Sequence, residues 1–249
     1  MIRTLLIITG ASVVLCAAAL GGAVALGGND LARNGWTWTF RDSHDGHEET
    51  VHFRRGGDGP RVTRNLAWDG SDTLAVDVSA DVTYVQGDEA SVVVTGPQDQ
   101  VEALRLSGGR LTFDDDDNVV VFGWRRHERL HVTVTAPSVR RFEVSGSGDL
   151  SIRNYDQPSL AVRIEGSGDV NAAGRTEVVD LNISGSGEAD LSAVETRDAD
   201  VRISGSGEAS VGPTGEARIT IEGSGDVDLT RRPARVSQSI SGSGDIHQR

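Results

Sequence analysis

Six copies of Gly-Ser-Gly, each followed by Asp or Glu, punctuate the second half of this 249-residue sequence. They start at Gly146, Gly166, Gly185, Gly205, Gly223 and Gly242, at intervals of 18 to 20 residues. Such a period is too short for a domain and too regular for loops. It is the mark of a stacked repeat, in which one unit cannot bury its apolar face without its neighbours.

The register can be followed position by position. Four and two residues before each first glycine stand Phe142/Val144, Val162/Ile164, Leu181/Ile183, Val201/Ile203, Ile219/Ile221 and Gln238/Ile240. Four and six residues after it stand Leu150/Ile152, Val170/Ala172, Ala189/Leu191, Ala209/Val211, Val227/Leu229 and Ile246/Gln248. Polar residues such as Glu143, Arg163, Asn182 and Arg202 alternate with them. Period two on both sides of a glycine corner means strand, bend, strand, with one face buried.

A lone unit would bury about four aliphatic side chains while ordering roughly twenty residues, so coils must stack to be stable. The spacing predicts an all-β, single-domain parallel β-helix with coils of about 19 residues. An antiparallel meander would explain the alternation equally well, but it gives no reason for near-identical corners. Both glycines of each corner are expected to serve the turn by adopting positive φ. These are Gly146, Gly148, Gly166, Gly168, Gly185, Gly187, Gly205, Gly207, Gly223, Gly225, Gly242 and Gly244. The intervening serines are expected to form a hydroxyl ladder. Gln238 and Gln248 replace apolar residues in the last coil, as a water-facing cap should.

Upstream, the stretch 72–137 alternates in the same way, in Leu74-Val76-Val78, Val92-Val94, Leu104-Leu106, Leu111-Phe113, Val119-Val121 and Leu130-Val132-Val134. These are short strands bounded by Gly, Asp and Pro. No stretch beyond the N-terminal segment sustains an amphipathic helix. The solenoid domain is therefore placed at 69–249, with its repeats at 142–249. Residues 30–68 are polar and turn-rich and read as a tether, although Trp36, Trp38 and Phe40 alternate within it. That trio suits either a short strand or a membrane interface.

Residues 1–29 read as an apolar helix. Thr4 to Asn29 carries no charge and Arg3 precedes it, enough to cross a bilayer. Ala23-Val24-Ala25 offers a cleavage site, so a signal peptide competes with a signal-anchor, and the length of the run favours the anchor. Either way Arg3 stays in the cytoplasm and the remainder is exported, to the periplasmic or cell-surface side, with anchoring in the inner membrane if the segment is retained.

The net charge of −13 argues against nucleic acid and anionic membrane surfaces as partners. The one cysteine, Cys16, lies inside the apolar run, so no disulfide is expected in the folded part. Leu15 before it does not fit a lipid-attachment site.

Three features together carry a family resemblance. They are Val82-Thr83-Tyr84-Val85-Gln86-Gly87-Asp88, then Val132-Thr133-Val134-Thr135-Ala136-Pro137-Ser138, then the repeated Gly-Ser-Gly-Asp. The sequence from near Leu74 onward resembles the bacterial autotransporter-adhesin head GIN domain family. The resemblance implies a β-helical envelope protein, commonly behind a signal or lipid anchor, and it supplies no catalytic residues. The sequence ends at Arg249 without the strands of a membrane barrel, so self-translocation is not expected.

Candidate chemistry is sparse. His127-Glu128-Arg129-Leu130-His131 matches the zinc-protease pattern, but that chemistry needs a helix to bring the histidines together. Leu130 instead continues the alternation of Val132 and Val134, and on a strand the two histidines stand about 13 Å apart. Asp149, Asp169, Glu188, Glu208, Asp226 and Asp245 should form a column along one edge. Such a column could hold Ca²⁺, although Asp is also an ordinary turn residue. Asp114-Asp115-Asp116-Asp117-Asn118 reads as an exposed turn, and His44, His47 and His52 fall in the tether. A polysaccharide-cleaving β-helix would need two unlike carboxylates beside an aromatic-lined groove. Here the acids are equivalent by repetition.

These readings lead to an exported, non-enzymatic cell-envelope protein with a surface-interaction, adhesin-like or scaffolding role and no cofactor. Its partner would be an envelope or surface component, with membrane contact through the N-terminal segment if that is uncleaved. The alternatives are a polysaccharide-active β-helix enzyme and a calcium-dependent binding module.

Overall fold

The computed structural model describes residues 36–41, 48–55, 60–114, 119–122 and 129–248. The apolar segment 1–29 lies outside the described residues, as do His44, His47, His127, Glu128 and the run 115–118. Among the described residues no helix is long and apolar enough to cross a membrane.

In chain order the first strands are β1 (Trp36–Arg41), β2 (Glu48–Arg55), β3 (Arg61–Leu66), β4 (Thr73–Val76), β5 (Ala80–Gln86) and β6 (Ser91–Pro97). A short helix α1 (Gln98–Ala103) precedes β7 (Leu104–Ser107), β8 (Arg110–Phe113), β9 (Val119–Phe122) and β10 (Leu130–Ala136). The repeats supply β11 (Arg141–Gly146), β12 (Asp149–Asp156), β13 (Ser159–Gly166), β14 (Asp169–Arg175), β15 (Val178–Gly185) and β16 (Glu188–Thr196). They continue with β17 (Asp198–Gly205), β18 (Glu208–Pro213), β19 (Glu216–Gly223), β20 (Asp226–Leu229), β21 (Arg235–Gly242) and β22 (Ile246–Gln248).

The chain divides into two compact units, Met1–Asp58 with Asp115–His127, and Gly59–Asp114 with Glu128–Arg249. In the first, β2 pairs antiparallel with β1 and parallel with β9. The second is the solenoid. Odd-numbered strands from β11 to β21 pair in parallel and continue through β4 into a nine-stranded sheet. Even-numbered strands from β12 to β22 do the same through β5, in a ten-stranded sheet. Each coil crosses from one sheet to the other at its Gly-Ser-Gly corner, so the repeat is all-β and parallel. The antiparallel meander is excluded for the repeats. Among the described residues of this unit, antiparallel pairs occur only at its N-terminal end, where β6 joins β10 to β3 and β7 folds back on β8.

Two columns of apolar side chains face each other between the sheets. One is Leu74, Phe142, Val162, Leu181, Val201 and Ile219; the other is Val82, Leu150, Val170, Ala189, Ala209 and Val227, all buried. Phe142 meets Tyr84 edge-on at 5.0 Å and Tyr155 at 6.0 Å, an aromatic cluster at the base of the core.

Two expectations need correction. Residues 30–68, read as a polar tether, contain β1, β2 and β3, and β3 pairs with β6 in the ten-stranded sheet. The folded unit therefore begins before residue 69, because Val62 and Leu66 pack partly against the core and outweigh the polar residues between them. A helix also occurs where none was expected, but it is only six residues long and held by one buried side chain, Val101.

The two glycines of a corner do different work. The first adopts positive φ, from 81° at Gly146 to 138° at Gly242. The second does not. It is needed for space: a Cβ on Gly225 would sit 2.6 Å from the carbonyl oxygen of Gly207 and 2.6 Å from Ile203 Cγ2. The serines between them stack mainly through the backbone. The N–H groups of Ser167, Ser186, Ser206, Ser224 and Ser243 each donate to the first glycine carbonyl of the preceding coil, at 2.8 Å.

Candidate interaction face

Strand register places the six repeat acids one above another on the outward side of the ten-stranded sheet. Asp169 stands beside Glu188, Glu188 beside Glu208 and Glu208 beside Asp226, with Asp149 and Asp245 extending the column through the adjoining rungs. Below Asp149 the column continues into residues that the repeat motif did not reveal. Asp81 pairs in register with Asp149, and His131 with Asp81. The tetrapeptide Val78-Ser79-Ala80-Asp81 is therefore a divergent corner at the base of the stack. The Ser79 and Ser147 hydroxyls lie 3.0 Å apart across the first rung.

A signal for this was present. Leu74, Val76, Val82 and Tyr84 stand at the same offsets from Val78 as the apolar residues do from each first glycine. The glycines themselves are missing because no Gly-Ser-Gly corner precedes this one, so no earlier corner carbonyl demands the space.

The base of the column is neutralised. Arg129 donates to Asp81 at 2.9 Å and to Asp149, and His131 Nδ1 lies 3.4 Å from Asp81. His131 is thus an exposed strand residue in the acidic column, and Leu130 between it and Arg129 is buried in the core. Above that point, among the described residues, no Arg or His lies within ion-pairing distance of Asp169, Glu188, Glu208, Asp226 or Asp245. Local backbone does part of the holding: the Glu188 N–H donates to Asp169 at 3.3 Å, and the Asp245 N–H to Asp226 at 2.8 Å. Burial, and then the charges of Glu208, Asp169 and Asp190, push the Glu188 carboxyl above its ordinary value.

The outward side of the other sheet is different. Its acids and arginines pair locally: Arg163 with Glu165 at 2.7 Å, Arg202 with Asp200 at 2.7 Å and Asp180 at 3.4 Å, and Arg218 with Glu216 at 3.3 Å. Such local pairs are what the column of Asp169, Glu188, Glu208, Asp226 and Asp245 lacks among the described residues.

Beside the acidic column, where β12 and β16 carry β-bulges, lies a shallow depression of about 400 Å³. Ser151, Arg153, Asn154, Asn171, Ala173 and Asp190 line it, with Asn154 in the left-handed conformation at φ 55°. Its lining contains no aromatic side chain. Among the described residues, no three His, Cys, Asp or Glu side chains converge as a metal ion would require. Asp149, Asp169, Glu188, Glu208, Asp226 and Asp245 thus lie in a line rather than a cage. Asp114, the described member of the acidic run, pairs with Arg105 at 2.5 Å. His52 lies on β2.

Stacked parallel coils with two unlike faces define the class: a two-sheet β-solenoid. The family model described as "Putative auto-transporter adhesin, head GIN domain" matches residues 72–233, and the chain belongs to that family. Solved structures share the fold at low sequence identity. A "putative adhesin" from Bacteroides fragilis superposes with a TM-score of 0.61 at 18% identity, covering 76% of this chain and 97% of that one. A "putative adhesin" from Parabacteroides distasonis gives 0.56 at 16%, covering 79% and 100%. A "putative lipid binding protein" from the same organism gives 0.52 at 21%, covering 79% and 99%. No curated protein matches the chain.

Proposed function

We propose that this chain is a non-enzymatic, adhesin-like protein exported to the bacterial envelope, whose solenoid presents its acidic face to a basic region of a surface or envelope partner. The observation that carries this reading is the run of Asp169, Glu188, Glu208, Asp226 and Asp245, which among the described residues has no Arg or His within ion-pairing distance, while Arg163, Arg202 and Arg218 on the other sheet each pair with a neighbouring acid. Closely spaced like charges cost stability unless something gains from them, and a partner of opposite sign does. Membership of the adhesin head family supports the same role.

The geometry weighs against glycan cleavage. Acid and nucleophile must differ in environment, whereas strand register gives the column acids repeating surroundings.

The test is binding of the full-length protein to envelope fractions and whole bacterial cells. A variant combining Asp169→Asn, Glu188→Gln, Glu208→Gln and Asp226→Asn should lose binding, and added salt should weaken what the native protein shows. A variant combining Arg163→Gln and Arg202→Gln, on the other face, should retain it. Equal binding by both variants would overturn the assignment of the face. Turnover of a polysaccharide, abolished by one carboxylate substitution, would make the protein an enzyme. A calcium-dependent rise in melting temperature, lost with Asp169→Asn, would make it a calcium-dependent module.

A further inference from the structure

The two ends of the solenoid are finished differently. At the N-terminal end the sheets close on antiparallel strands, and α1 is tied down by the Arg64 guanidinium, which donates to the Val101 carbonyl at 3.3 Å. At the other end β21 is the edge of the nine-stranded sheet, and all eight of its residues are exposed. Val236, Gln238 and Ile240 continue the inward column above Ala217, Ile219 and Ile221, which are buried. With no further described coil above them, Val236 is 39% exposed and Ile240 41%.

Natural sheets protect such edges with charge, proline or a bulge. Here Val236 to Gly244 contains no charged residue and no proline, and β21 keeps unbroken register with β19. Gln238 supplies polarity in the middle of the edge, but it leaves an apolar residue on either side.

We propose that β21 pairs antiparallel with β21 of a second copy, across a two-fold axis at Gln238, to give a tail-to-tail dimer. The sequence of the edge is what selects a second copy as occupant. Centring the pair on Gln238 sets Val236 opposite Ile240 of the other copy, twice, and Gln238 opposite itself. The two side-chain amides then donate to and accept from each other, flanked by two apolar pairs. In the same register Arg235 falls opposite Ser241, so no charge meets a like charge. A two-fold interface must be self-complementary, and this edge is. The two sheets become one across the axis, satisfying edge N–H and C=O groups that otherwise face water. The inference concerns the end of the solenoid and does not rest on the acidic face.

The test uses the detergent-solubilised full-length protein. In a Cys16→Ser background, Gln238→Cys places two thiols on the axis, on α-carbons about 4.5–5.5 Å apart and within disulfide reach. Mild oxidation should give a disulfide-linked dimer more than about tenfold faster than Ser204→Cys, an exposed position two coils away. Ile240→Lys should convert the sedimenting dimer to monomer and lower the melting temperature of the fold only slightly, since Ile240 is not part of the buried core but 41% exposed. The proposal is overturned if the native protein sediments as a monomer, or if the two cysteine variants crosslink alike. It is equally overturned if Ile240→Lys stays dimeric, or if the position-238 adduct contains a strand from an unlike protein.

Discussion

Gly146→Ala and Gly205→Ala add the same methyl group at equivalent corners, yet the stacking geometry predicts unequal consequences. At Gly146 φ is 81° and a new Cβ would find nothing within 4 Å. The cost is the left-handed backbone alone, about 1–2 kcal/mol. Reduced freedom of the unfolded chain returns about 0.4–1 kcal/mol, so the net loss is about 1 kcal/mol. At Gly205 φ is 125°, a region that glycine alone occupies comfortably, costing about 1–3 kcal/mol. The Cβ would also press on the Gly185 carbonyl, with Gly185 C only 3.1 Å away. That carbonyl accepts the 2.8 Å bond from the Ser206 N–H, so the corner must shift and weaken a rung. Overpacking adds about 1–3 kcal/mol and the weakened bond about 1 kcal/mol. After the unfolded-state offset the loss is about 4 kcal/mol.

Denaturant titration of both variants, read at unchanged slope, measures the difference. For a unit of this size the melting temperature should fall by about 3 °C for Gly146→Ala and by about 10 °C or more for Gly205→Ala. Equal losses, or a larger loss at Gly146, would refute the claim that coil-on-coil contact is what demands glycine at the corner.

Other perturbations report on the charged face and the core. Because the Glu188 carboxyl is held above its ordinary 4.5, its ionised form is disfavoured in the folded state. Native stability should therefore rise relative to Glu188→Gln as pH falls from neutral towards that unfolded value, and the gain should be complete below it. Melting curves across that range check the sign, and a gap between the two proteins that does not change with pH would contradict it. Asp156 has the opposite sense, since the Arg175 guanidinium holds it low. Its contribution should be lost only as pH falls through values below 3.8, and should be absent in Asp156→Asn. Tyr84 and Tyr155 are the chain's two tyrosines, and burial pushes both phenols above 10. Ultraviolet titration should thus show no phenolate step near pH 10 until the protein unfolds, and a normal step in the native state would place a ring in solvent. Tyr84→Phe removes the 2.8 Å bond to the buried-strand carbonyl of Ala136 and should cost about 1–3 kcal/mol in denaturant titration.

The repeat was legible because every coil from Phe142 onward meets the same surroundings, and identical surroundings select identical residues. Alternation told which side of each strand is buried, and the fixed interval told that the acids share a column. The strands of residues 30–68 were harder to read, since their polar residues suit a loop as well as an edge strand. The division of labour between the paired glycines was also hidden, because a steric need and a φ need both select glycine.

By itself, then, the sequence determined the coil: its length, its corner, its two buried stripes and the alignment of its carboxylates. Tertiary structure decided what lies beside what. It set the degenerate corner Val78-Ser79-Ala80-Asp81 at the base of the column and brought Arg129, just before β10, onto Asp81 and Asp149, while among the described residues the five acids above meet no Arg or His. It also left β21 as an open edge. The physical reason is range. A repeat writes its local environment into every copy, whereas pairing between strands fifty or more residues apart depends on how the whole sheet closes.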